Sequence, residues 1–235
     1  MSKITRRSYK RKKIVTGIAL FGAIGLVSTG FAAWVLSTNA NKEQGAGLKV
    51  GTVTESAMEI TNVKVKGIDT RRSSETLGEV IEVNEFSFNP RYDDNTGRVK
   101  YGAVGDDCGE RLSLTVSGTI TQAQNLGALR IEPKTVPDKI LEKENDGFIV
   151  VPTCLKEAVT LVKDTDYEIK QDNTADFEFA ITFEWGTVFG GENPADYYDD
   201  FTVEQVSNAQ INETLASLYE LNNVQIAINI VAEVN

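Results

Sequence analysis

The side chains of this sequence that could do chemistry are carboxylates, and they come in clusters. Asp196-Tyr197-Tyr198-Asp199-Asp200 is one, Tyr92-Asp93-Asp94-Asn95-Thr96-Gly97 a second, and Gly105-Asp106-Asp107 a third. Carboxylates at such spacing serve two chemistries: oxygen ligation of calcium, and paired acid–base work on a glycosidic bond. Asp93, Asn95, Asp199 and Asp200 are the calcium candidates. The Asp93-x-Asn95-x-Gly97 spacing matches the start of a calcium loop, but no Glu stands where the last ligand of such a loop is needed. The same residue types form plain turns, since Asp and Asn tolerate the left-handed region and Gly adopts it freely. The Asp196–Asp200 run is read as a solvated loop on an acidic protein.

The chain has no histidine. A Ser-His-Asp or Cys-His nucleophile system cannot be built without one, nor can the two-His zinc motif of metallopeptidases. Two cysteines remain, Cys108 and Cys154. In an exported chain an even count suggests a disulfide; this one would close a loop of about 46 residues and contribute roughly 4 kcal/mol. The alternative is two buried thiols packing as small hydrophobes. Two soft ligands are too few for zinc.

The exported location is read from the first residues. Lys3, Arg6, Arg7, Lys10, Arg11, Lys12 and Lys13 form a basic head, and an uncharged run from Ile14 to Leu36 follows. Gly30 and Ala32 supply small residues for a cut between Ala32 and Ala33. These are the parts of an export signal. The run is also long enough to span a bilayer as a retained anchor, although Gly17, Gly22, Gly25 and Gly30 weaken it as a helix. A pilin-type leader is disfavoured, because Ser37-Thr38-Asn39-Ala40-Asn41 interrupts the helix that would have to continue. The head holds 7 of the 24 basic residues and none of the 34 acidic ones. That leaves 17 basic against 34 acidic residues, a charge of −17, for the rest. Such a surface repels nucleic acid and anionic lipid, so the membrane is a partner only through an uncleaved signal.

The elements that must position these residues read mostly as strands. Residues 35–47 are small and polar, a linker or mobile arm. Leu48–Val53 follows, then Met58, Ile60, Val63 and Val65 at strand spacing. Glu79 to Phe88 alternates in part and ends at Asn89-Pro90. Arg111 to Thr121 is the clearest strand, and Gln124–Ile131 a short element. Val136–Gly147 is a charged loop or short helix, Phe148–Val151 an apolar strand, and Leu155–Val162 a strand or helical turn. Phe177 to Trp185 carries four aromatics on one face with Ile181, read as core rather than as a sugar-stacking platform. Gly186, Gly190 and Gly191 permit a sharp turn before Asn193-Pro194. Ser207 or Asn208 caps a helix with Ile211, Leu215 and Leu218 on one face. Val224 to Val234 closes the chain in alternation. Arg71-Arg72 is an isolated basic pair on the surface. Eight to ten strands, one good helix and no βαβ rhythm give a mainly β class: a two-sheet jelly-roll-like sandwich with one or two short helices, preceded by a signal peptide. The expected organisation is a signal over 1–32, an arm over 33–47 and a sandwich domain over 48–235.

Thr29-Gly30-Phe31-Ala32-Ala33-Trp34, followed by Gly45-Ala46-Gly47-Leu48-Lys49-Val50-Gly51, resembles the leader and first strand of proteins processed by the SipW-type signal peptidase. The TasA and camelysin proteins are its best-known members. The closing strand Val224–Val234 is also similar to that of the family. The match covers about the first 55 and the last 12 residues. It implies a secreted jelly-roll subunit of extracellular matrix fibres, in which the arm freed by cleavage adds as a strand to the next subunit. Leu48 and Val50 are then the assembly residues nearest the arm. Strand addition satisfies an exposed sheet edge and, being head-to-tail, gives open filaments. The metallopeptidase activity attributed to some camelysin relatives is not expected from a chain without histidine. Two other readings are carried: a surface module for glycan or calcium built on the acidic loops, and a carboxylate-based hydrolase.

Overall fold

A computed structural model describes residues 33–35, 46–55, 57–71, 74–89, 109–199, 208–221 and 223–234. The chain is mainly β, with two main sheets and a few short helices. The strands are β1 (Ala33–Val35), β2 (Ala46–Thr54), β3 (Glu59–Ile68), β4 (Val80–Glu82), β5 (Glu85–Phe88), β6 (Glu110–Arg111) and β7 (Ser113–Thr121) in the first half. They continue with β8 (Leu126–Thr135), β9 (Ile149–Val150), β10 (Val159–Thr160), β11 (Tyr167–Ile169), β12 (Ala175–Thr182), β13 (Glu184–Trp185) and β14 (Gln225–Val234). Helices are α1 (Asp138–Asn145), α2 (Pro194–Asp199) and α3 (Asn208–Ala216). The first sheet runs β10-β8-β14-β2-β5-β6, with β1 also paired to β2; the second runs β11-β12-β7-β3-β4. β9 and β13 form a separate two-stranded ladder.

The two sheets share one apolar core. β7 and β12 show the simplest logic. Leu114, Val116 and Ile120 turn inward, as do Phe177, Phe179 and Ile181, while the residues between them, Ser and Thr on β7 and Asp176, Glu178, Ala180 and Thr182 on β12, face outward. The aromatic stripe is core, as expected. Phe86 and Phe88 each meet Phe183 edge-on, at 4.9 and 5.1 Å between ring centres. β14 is buried on both faces: Ile226, Ile228 and Ile230 on one, Ala227 and Val231 on the other. Each fully buried Ile contributes about 1.5–3 kcal/mol. Lying between β8 and β2, β14 is a central strand, antiparallel to the first and parallel to the second.

Several expected elements are divided or moved. Glu79–Phe88 is two strands in different sheets. Val83 N–H still donates to Val65 O in the second sheet, while Asn84 O accepts from Leu48 N–H in the first, at 2.6 Å. Arg111–Thr121 divides in the same way at Leu112, into β6 and β7. The Gln124–Ile131 element is a ten-residue strand after one 3-10 turn. The run beginning at Asp196 lies on helix α2 as far as Asp199, not in a loop, because Pro194 starts a helix and Asn193 Oδ1 accepts the Ala195 N–H at 2.9 Å. Ala46 and Gly47, assigned to the arm by the sequence, are already in β2. Ala46 is fully buried opposite Phe86.

Candidate functional site

The two edges of β2 are built differently. Along one, every residue from Gly47 to Thr54 has a partner on β14. Along the other, Ala46 and Gly47 pair with β5, and Leu48 exchanges backbone and side-chain contacts with Asn84. Beyond that point β5 no longer runs alongside. Val50, Gly51 and Thr52 pair instead with Val35, Trp34 and Ala33. Gly51 suits this strand, since a Cβ there would lie 2.5 Å from the Asn229 Oδ1 of β14.

An ionic anchor holds the turn after β3, and Arg111 beside it ties that turn to β5. Asp69, fully buried after β3, accepts two bonds from the Arg71 guanidinium at 2.9 and 2.8 Å. It also accepts the Arg71 N–H and the hydroxyls of Ser74 and Thr76, the last two at 2.6 Å. The Arg71 guanidinium holds the Asp69 carboxyl far below the usual carboxylate range, with the two hydroxyls helping and burial opposing. Next to it, buried Arg111 donates to Ile68 O at 2.7 Å and to Glu85 O at 3.1 Å. This ties the β3 end to β5. Arg71 is therefore a structural residue, not part of a surface basic pair. The neighbouring Glu110 accepts from Trp185 Nε1 at 2.6 Å and from Asn193 Nδ2. Neither anchor was anticipated from the sequence. The only signal for the first is an Asp followed by Arg at +2 and hydroxyls at +5 and +7.

The other expected residues are scattered. Ala33 is the first residue of β1; Ala32 lies outside the described residues. Leu48 and Val50 are core residues of β2, 2% and 3% exposed, and their backbone edge is paired, Leu48 with Asn84 and Val50 with Val35. Asp93, Asn95, Asp200 and Cys108 lie outside the described residues, and Asp199 is the last residue of α2. Cys154 is a buried free thiol whose pKa is pushed up by burial. Among the described residues, no group of three acidic or cysteine side chains is arranged to hold a metal ion. No helix among them is long and apolar enough to cross a membrane.

On the outer face of the second sheet, the turn at Asp164–Asp166 borders an open groove of about 780 Å³ over Ser117, Thr119 and Glu178. A bulge opens β3 there, with Asn62 at φ 53° opposite Gly118. Asp176 in this groove is engaged by Lys170 and Thr119, and Lys64 by Glu82 at 2.9 Å.

No family model, no curated protein and no solved structure matches the chain.

Proposed function

We propose that this chain is an exported, non-enzymatic structural subunit of extracellular or surface fibres. It folds as a jelly-roll-like sandwich and assembles by strand addition of the segment before β2. The observation that carries this reading is the divided edge of β2: a core strand whose far half pairs, among the described residues, with the three residues Ala33–Val35, contributed by the segment that follows the export-type leader. A backbone edge left to so short a partner is a site for pairing with another chain. The charge of the mature chain speaks against nucleic acid and anionic lipid as partners. Its partners are further copies of itself, and the signal peptidase that cuts between Ala32 and Ala33. The test is negative-stain microscopy of the purified chain beginning at Ala33. Filaments are expected. A chain that stays monomeric at all concentrations, with residues 33–45 removable without consequence, would overturn the reading.

The groove over Ser117, Thr119 and Glu178 supports a second reading, a surface module for a glycan, because hydroxyls and carboxylates on an open face match ring hydroxyls. Calorimetry against soluble polysaccharides, comparing Glu178→Ala with the parent, decides it; no heat from the parent removes it.

A further inference from the structure

The segment that covers the far half of the β2 edge belongs to the same molecule. Ala33–Val35 runs antiparallel to Val50–Thr52, with Ala33 opposite Thr52 and Val35 opposite Val50. The link between Val35 and Ala46 is ten residues long, able to reach about 33–36 Å when extended. The observed pairing needs much less. Val50 is four residues along β2 from Ala46, about 13 Å, and the neighbouring strand is about 4.8 Å away. The link is therefore at least twice as long as this position requires. Among the residues whose side chains are described, the core runs from Ala46 to Ala232. In a chain cut before Ala33 the segment is also the first three residues, and a terminal strand can be withdrawn without threading.

We propose that Ala33–Val35 is a self-cap. It closes in cis the same three-residue stretch of β2 edge that accepts Ala33–Val35 of a second copy, so assembly is an exchange of caps rather than addition to a vacant edge. This rests on the fibre reading and specifies its partner and its brake. A subunit whose own cap is seated is refractory to a neighbour. One whose cap has moved to the next subunit has its edge open to the subunit behind, which keeps growth head-to-tail. The register is the same in both states, because the Val50–Thr52 edge presents the same donors and acceptors to either copy.

The experiment uses the chain beginning at Ala33, held below the concentration at which it assembles, and a fluorophore-labelled peptide of residues 33–44 as probe. It is compared with Val35→Pro, which removes a strand N–H and cannot seat its own cap. Circular dichroism checks that each variant is folded, and deletion of residues 33–35 serves as a second variant without a cap. Fluorescence anisotropy should show both variants capturing the peptide at least tenfold more tightly than the parent, and a peptide with the same Pro should not be captured. Equal capture by parent and variants overturns the self-cap. Capture by none of them overturns the edge as the docking place. The fibre reading fails separately: tenfold-different capture with no filaments from the parent leaves the cap standing without the fibre, and filaments with equal capture leave the fibre without the cap.

Discussion

β2 has one edge that is committed and one that is shared out. Against β14 it forms eight consecutive parallel pairs, beside a strand buried on both faces. On the other side it has two pairs with β5 and three with β1. The contrast is one of length and of what β14 buries: its residues bring Ile and Val into the core, so releasing that strand would expose a large apolar area. β1 contributes three paired residues to the other edge. Ladder hydrogen bonds alone contribute about 0.5–1.5 kcal/mol each, against an ordering cost of about 1–2 kcal/mol per residue.

The most severe way to break this contrast is on the β14 side. Ile230 is fully buried between Thr52 of β2 and Ile131 of β8. Ile230→Ala should lose about 3–4 kcal/mol in a urea titration, from lost transfer energy plus the cavity. A loss below about 1 kcal/mol would mean that the two edges of β2 do not differ in the way proposed.

The anchor of the turn after β3 comes next. Asp69→Asn removes a buried carboxylate that receives five bonds from Arg71, Ser74 and Thr76, and should cost about 2–4 kcal/mol. Its pH signature is specific. The folded carboxyl titrates far below an unfolded Asp, near 3.9. Below that pH the unfolded chain binds the proton first, so the contribution of Asp69 is complete above about pH 5 and falls away as the pH drops through the acid range. Wild type should therefore lose stability steeply between about pH 5 and 2. Asp69→Asn should be flatter there, and parallel slopes would exclude this anchor.

A smaller effect is expected at Gly118, opposite the β3 bulge. A Cβ there would lie 2.5 Å from the Phe177 ring. Gly118→Ala should cost about 1–3 kcal/mol by overpacking, with the near-ultraviolet circular dichroism altered because an aromatic ring has to move. A stability equal to the parent's would show that the core beneath the second sheet yields more easily than the β14 side of the first.

How far these features were legible in the sequence depends on whether one side-chain pattern ran through one element. β14 was legible because its alternation runs unbroken within a single sheet, and β12 as far as Thr182; the run read as one strand to Trp185 leaves that sheet at Phe183 and ends in β13, which pairs with β9. The β3 bulge was missed, although the spacing carries it: Met58 and Ile60 are even-numbered, Val63 and Val65 odd, and the extra residue falls between them at Asn62. The sheet switches at Val83–Asn84 and Leu112 were not legible, because both sheets face the same core and apolar alternation continues across the crossing. β8 was read short. Its buried residues Leu126, Leu129 and Ile131 change spacing, Arg130 lies between the last two and Glu132 follows, and the ladder slips where Val234 meets Leu126. Asp69 was invisible because its partners lie in its own turn and look like surface residues. The Ala32/Ala33 boundary was read as a cut site, but nothing in the composition of the arm revealed that Ala33–Val35 would be a strand against β2.

The least disruptive test is on the other edge of β2, and it sharpens the comparison most. Val35→Pro removes one strand donor from the β1–β2 pairing and touches no strand of the core ladder. Its effect on unfolding by urea, in the chain beginning at Ala33, should lie within about 0.5 kcal/mol of the parent, the range of a surface change. Ile230→Ala, on the same β2 ladder but the opposite edge, should cost several times more. The same Val35→Pro chain should nevertheless assemble more slowly or not at all, since its segment cannot seat on a neighbour either. A variant that is neutral for folding and defective for assembly separates the two edges by function as well as by energy. If Val35→Pro instead unfolds the protein as Ile230→Ala does, the segment is part of the fold and cannot be exchanged.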